Sequence, residues 1–269
     1  MTAAEHDQGW AEQVATPAGV PGDPGPSPAV EPILAGGGAS DYERYLRTDE
    51  LLALQKPPEQ RVHRDELLFT VVHQSSELWL KLAVAELRTA TELIDSDVLL
   101  ESARMLRRVN TCMRFVTEAL DMLDQLDPWD YNFVRSALGH GSGFDSPGFR
   151  ALARATPAVA KAFDGALART GVPLTELYRD RQHHQSLHEL AELLTDFDER
   201  VRLWRFRHYS VVARAIGEES IGIQGVAVQQ LTKLIAQRQL PKLWEVRTRL
   251  VELFEDERQG EVAPPPQAG

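Results

Sequence analysis

Two histidines occupy positions that helical spacing would otherwise give to apolar side chains. In LLFTVVHQSSELWLKL (67–82), Phe69, His73, Ser76, Glu77 and Leu80 follow spacings of four, three, one and three, which brings them to one helix face. An imidazole and a carboxylate at i and i+4 can satisfy each other inside a core, or they can line a cavity. In VRLWRFRHYSVVARAIG (201–217), Val201, Trp204, His208, Val211, Val212 and Ala215 share a face on which His208 alone is polar. A neutral imidazole in an apolar wall can offer one nitrogen to a metal, including haem iron, and the other to a backbone carbonyl. On spacing alone a hydrogen-bonded core histidine is the commoner use of such a position. Arg205 and Arg207 flank it and could neutralise propionates, or simply be solvated.

A third group lies in DPWDYNFVRSALGHGSGF (127–144), where Tyr131 and Arg135 are four apart on a short helix that runs into Gly139, Gly141 and Gly143. An arginine fork, a phenol and free loop amides together suit a carboxylate, which Arg can grip bidentately. A surface arginine beside an ordinary turn has the same pattern. A fourth group, DRQHHQSLHELAEL (180–193), puts Asp180, His184, His188 and Glu192 on one face. Metal-carrying bundles need two such carboxylate and histidine helices, and no Glu-x-x-His accompanies the single Asp-x-x-His here, so a solvated face is favoured.

The elements that would position these residues are helices. Apolar residues recur at spacings of three and four with little alternation of period two, which predicts an all-α domain from about residue 40 to 256. Expected helices are TDELLALQ with a Thr48 or Asp49 cap, about 63–94, 99–126, one restarted by Asp127-Pro128, two shorter ones in 147–169, 187–216, and two near 226–237 and 240–256. Residues 1–39, dense in Pro, Gly and Ala, read as a mobile arm, and 257–269 as a disordered tail. With 269 residues, 43% of them hydrophobic, the chain can bury a large core. Its formal charge of −11, without a long Lys/Arg block, argues against nucleic-acid binding. Cys112 is the single cysteine, which excludes an internal disulfide and reads as a buried structural thiol. No leader-like segment and no apolar run near the roughly 20 residues of a membrane span is present, so a cytoplasmic protein with no membrane partner is expected.

Five segments, YERYLRTDELL (42–52), DELLFTVVHQSSELWLKLAVAEL (65–87), YNFVRSALGHGSGF (131–144), LWRFRHYSVVARAIG (203–217) and LPKLWEVRTRL (240–250), resemble the tryptophan 2,3-dioxygenase family of haem-dependent aromatic oxygenases, in the family's order. The HQ-x-SELWLKL and WRFRH blocks are the most specific, and they reverse the preference for a core histidine. The resemblance implies a helical homotetramer that binds haem b, O2 and L-tryptophan or a close analogue. By it, His208 matches the proximal iron ligand, and Phe69 and His73 match the distal residues against the indole ring. Arg135 matches the carboxylate clamp with Tyr131 before it on the same face, and Ser142 and Gly143 match the loop beside haem and substrate. Tyr42, Tyr45 and Leu46 match a segment that reaches a neighbouring subunit's pocket. EESIGIQG (218–225) departs from the family's Gly-Thr-Gly-Gly stretch by lacking the threonine that helps hold the substrate ammonium, and the chain between Arg150 and Trp204 is shorter than in typical members. Three outcomes follow from the resemblance: cleavage of the indole C2–C3 bond to an N-formylkynurenine-type product, insertion of one oxygen into a modified tryptophan to give a 2-oxindole or hydroxylated product, or a haem sensor without turnover.

Overall fold

The computed structural model describes residues 31–262, and side chains as far as residue 259. The N-terminal arm and the end of the C-terminal tail anticipated from composition lie largely outside the described residues. Residues 31–262 are helical with turns; no strand occurs among them, only a bridge between Ile221 and Ala227. The all-α class anticipated from periodicity is therefore present. Contacts divide the chain into two units, Met1–Arg61 and Val62–Gly269.

In the first unit, α1 (Asp41–Leu46) starts at Ser40, whose hydroxyl accepts from the Glu43 amide while the Glu43 carboxylate accepts from the Ser40 amide. The second helix, α2 (Thr48–Leu52), follows directly. Its N-cap is Arg47, with φ 56° and no side-chain cap bond, rather than Thr48 or Asp49. The preceding helix has already fixed the chain direction there, which leaves no extended residue to act as a cap.

In the second unit the main core forms among α3 (Glu66–Asp95), α4 (Leu99–Glu118), α7 (Pro147–Thr170) and α9 (Gln185–Ile216), and the short α5 (Leu120–Leu123) packs in a smaller cluster with Val72, Leu126 and Val211. Leu80, Leu87 and Ile94 of α3 meet Leu106, Val109 and Met113 of α4, Val159 and Phe163 of α7, and Leu190, Leu194 and Phe197 of α9, all essentially buried. Cys112 lies in this core as a buried free thiol.

The α6 helix (Pro128–Ala137) begins as its sequence dictates. The Asp127 carboxylate accepts the Trp129 amide at 2.8 Å, and Pro128 occupies the first turn, where no amide partner is needed. The two shorter helices expected in 147–169 are instead one helix, α7, with Pro157 inside it. Proline deletes one ladder bond, but Leu152, Val159, Ala162, Phe163 and Ala166 on either side are buried in the core, and that packing carries the helix across the break. Short α8 (Leu174–Arg179) and α10 (Leu231–Ile235) link the longer elements, and α11 (Pro241–Val262) runs past the boundary set at 256 by composition. No helix among the described residues is long and apolar enough to cross a membrane.

Candidate active site

A cavity of about 620 Å³ opens in the second unit, within the size range of small-molecule pockets. One wall is α3. The Phe69 and His73 rings lie 4.1 Å apart between centroids, and Phe69 is 5.9 Å from the Tyr131 ring of α6. His73 Nδ1 is 2.7 Å from the Phe69 carbonyl oxygen. A carbonyl only accepts, so Nδ1 carries the proton and Nε2 keeps its lone pair. Burial pushes the His73 pKa below the usual histidine range, against smaller opposing effects of the Phe69 carbonyl and Glu77.

Glu77 does not satisfy His73. Its Oε1 accepts the Ser146 hydroxyl and its Oε2 accepts the Gly148 amide at 2.9 Å, so it caps the start of α7. A Cβ at Gly148 would lie 2.6 Å from Glu77 Oε2 and 2.6 Å from Leu80 Cβ, so α7 crosses α3 at this contact and glycine permits the approach. The Ser76 hydroxyl is used within its own helix, donating to the Val72 carbonyl at 2.7 Å.

The opposite wall is α9. His208 stacks on Trp204, with centroids 5.0 Å apart and planes 10° from parallel, and Trp204 in turn meets Phe149 of α7 at 3.9 Å. Burial, reinforced by nearby His73, lowers the His208 pKa to about 4, so the ring is neutral at pH 7. Neither ring nitrogen makes a hydrogen bond among the described residues, so the carbonyl partner imagined for such a histidine is not formed. His208 is thus a neutral imidazole in the cavity wall with both nitrogens open, the kind of group that can ligate a metal. The backbone of Gly143 passes its tip: a methyl group there would sit 3.6 Å from Nε2.

The mouth is framed by α6, the glycine loop and the segment after α9. Arg135 donates to the Ile221 carbonyl at 2.6 Å. Gln224 donates to the His140 carbonyl at 3.1 Å and to Asp145 Oδ2 at 2.6 Å, latching this segment to the loop. A turn closes the segment through Gly222 N–H to the Val226 carbonyl at 2.8 Å, with Gly225 at φ 77°. Ser142 caps the 3-10 turn Gly143–Asp145, its hydroxyl accepting from the Phe144 amide. Burial raises the Tyr131 pKa, with Arg135 acting the other way, and Tyr131 lines the cavity. His63 orients α6 against the start of α3: its Nε2 lies 3.7 Å from Asp130 Oδ2, its ring stacks on Phe133, and its Nδ1 accepts from the Asp65 amide.

Seven of the sequence-selected residues, Phe69, His73, Tyr131, Arg135, Ser142, Gly143 and His208, line this one cavity. Tyr42, Tyr45 and Leu46 belong to the first unit, where they are 68%, 77% and 47% exposed. Arg207 is paired with Asp121 and Asp124, and one nitrogen of Arg205 donates to the Leu234 and Gln237 carbonyls, each at 2.9 Å. The 180–192 face gathers no metal-like cluster: Asp180 pairs with His183, while Glu192 accepts from Tyr178 and Arg247. Residues that sequence reasoning missed are Arg150, Gln224 and the capping role of Glu77. The i−4 spacing of Trp204 from His208 signals their stacking, but nothing local signals the other three.

The profile of the tryptophan 2,3-dioxygenase family matches residues 31–156 and 160–250. A tryptophan 2,3-dioxygenase of Bacillus thuringiensis (strain Al Hakam) is 33% identical over 260 residues, covering 78% of this chain and 92% of the relative. One of Erythrobacter litoralis (strain HTCC2594) is 34% identical over 78% of this chain and 98% of the relative. One of Myxococcus xanthus (strain DK1622) is 32% identical over 79% and 90%. With matches running nearly the whole length of these relatives, and through every segment that lines the cavity, the chain belongs to the tryptophan 2,3-dioxygenase family.

Proposed function

We infer that the protein is a haem-dependent oxygenase that uses O2 to oxidise the indole C2–C3 bond of L-tryptophan or a close analogue. The observation that carries this reading is one cavity holding a neutral, unbonded His208 on one wall and the Phe69, His73 and Arg135 set on the other. A neutral imidazole with both nitrogens free, in a largely apolar cavity, fits the proximal position of haem b. When bound, haem supplies the activation of O2 for transfer to the ring.

The chain supplies position and proton placement. The Arg135 guanidinium gives one nitrogen to the Ile221 carbonyl and keeps donors for the amino-acid carboxylate. The Phe69 and Tyr131 rings offer an aromatic wall for the indole. His73, neutral and with its proton on Nδ1, accepts the indole N–H at Nε2, which holds the ring and pushes electron density toward C3 without removing the proton. Gly143 brings backbone close to the His208 ring, with Ser142 beside it in the cavity lining. The 218–230 segment frames the cavity mouth and is tied to the glycine loop through Gln224. That segment offers no threonine to the substrate ammonium. Ser220 gives its hydroxyl to the Ile216 carbonyl, while Ile223 lines the cavity.

The exposed Tyr42, Tyr45 and Leu46 support a homotetramer in which this segment enters a neighbour's cavity, and light scattering on the purified protein tests that assembly. A cytoplasmic location completes the reading. The deciding experiment is a visible spectrum of haem-supplied protein, followed by turnover of L-tryptophan under labelled O2 with mass analysis. A Soret band and a ring-opened product carrying two labelled atoms support a dioxygenase. One labelled atom in an intact ring makes it a mono-oxygenase, haem without turnover makes it a sensor, and colourless protein removes the haem reading.

A further inference from the structure

The cavity's charge runs against that of the chain. The protein carries a formal charge of −11, yet Arg135, Arg150 and Arg205 line the cavity and Glu77 is the single carboxylate among its lining residues. Glu77 is already consumed by Ser146 and Gly148 at the start of α7. Arg135 sits with Tyr131 and the glycine loop, and is tied to Ile221. Arg205 has one nitrogen on the Leu234 and Gln237 carbonyls and no carboxylate partner. Arg207, the other arginine beside His208, is taken by Asp121 and Asp124.

Arg150 differs from all of these. It stands on the first turn of α7, and its guanidinium makes no hydrogen bond or ion pair among the described residues although it borders the cavity. Its neighbour Phe149 packs on Trp204, which stacks on His208, so the first turn of α7 lies beside the His208 wall. An arginine held on a helix and left without a partner beside an apolar cavity can receive a carboxylate in a bidentate fork. Haem b brings two carboxylates and the amino-acid substrate one, matching the three arginines.

Resting on the haem reading above, we propose that Arg150 receives a haem propionate, forming with Arg205 an anionic subsite separate from the substrate clamp at Arg135. Arg205 is held by backbone carbonyls and is half-buried, so it contributes fixed charge; Arg150, exposed at the rim, contributes the direct fork.

The test is binding of iron protoporphyrin IX and of its dimethyl ester, both presented in the same mild detergent, to apo wild type, Arg150→Gln and Arg150→Lys, read by Soret titration and by transfer of the porphyrin to excess apomyoglobin. Wild type should hold the free acid about tenfold more tightly than the ester, the size of a charge-assisted pair discounted for exposure. Arg150→Gln should remove most of that preference, Arg205 keeping the remainder, while leaving ester binding unchanged, and Arg150→Lys should restore part of what is lost. An Arg150→Gln protein that keeps the full preference, or that loses acid and ester binding equally, overturns the proposal while leaving haem binding intact. Wild type that takes up neither porphyrin overturns the haem reading and this subsite with it.

Discussion

On the proposed reading, replacing Arg135 by alanine should separate recognition of the substrate carboxylate from assembly of the cofactor site. Arg135 is partly exposed and its one protein partner is the Ile221 carbonyl, so its remaining donors are free for a ligand. Hydrogen bonds to a charged group contribute about 1.5–3 kcal/mol, and truncating a buried charge pair costs about 2–5 kcal/mol. Partial exposure places Arg135 at the lower end of that range, about 2–3 kcal/mol, which is roughly a 30- to 150-fold rise in KM. Arg135→Lys keeps the charge but loses the fork, and should fall between the two. The assay is steady-state oxidation of L-tryptophan, paired with Soret titration of the same variants. As a control, tryptamine, which lacks the carboxylate, should perturb the Soret band equally in wild type and Arg135→Ala, whereas L-tryptophan should do so far more weakly in the variant. Because the Ile221 contact is also lost, a modest fall in kcat accompanies the KM effect. An unchanged KM, or loss of haem uptake as large as the loss of substrate binding, would refute the assignment.

The other predictions concern the two histidines and the helix crossing. His208→Ala should abolish tight haem binding, and a purified variant with full haem content in unchanged ligation would contradict the proximal role. His73 must be neutral to accept the indole N–H, and its pKa lies below the ordinary 6.5, so activity should hold at pH 7 and fall only as pH drops through the lowered value. His73→Ala should turn over more slowly, keep its haem and lose that acid limb; a limb that survives belongs to another group. Gly148→Ala forces a methyl group against Glu77 and Leu80, and should destabilise the fold by about 1–3 kcal/mol in urea denaturation. An unchanged midpoint would mean that α7 can step away from α3 at no cost.

What the sequence determined by itself was helical class and face membership. Spacings of three and four placed Phe69, His73 and Glu77 on one side of α3 and Trp204 and His208 on one side of α9, because helix periodicity is a local property of the backbone. The Asp127-Pro128 start of α6 was legible for the same reason: capping is settled within a few residues. The segments carrying the family resemblance singled out residues that do meet in one cavity.

Tertiary structure decided partnership. Spacing puts Glu77 on the right face with two readings open, pairing with His73 or lining a cavity; it lines the cavity, and its carboxylate serves Ser146 and Gly148 rather than His73 four residues away. Residues 147–169 read as two shorter helices by sequence, yet burial of α7 on both sides of Pro157 sustains one helix. Arg205 and Arg207, close to His208 in the chain, read by sequence as able to meet propionates or as simply solvated, but Arg207 pairs with Asp121 of α5 and Asp124 and one nitrogen of Arg205 is taken by carbonyls near α10, while Arg150 on another helix is left unpaired. Periodicity reveals where a side chain points relative to its own helix. Which of several arginines remains free depends on acceptors brought from distant parts of the chain, and only packing sets those distances.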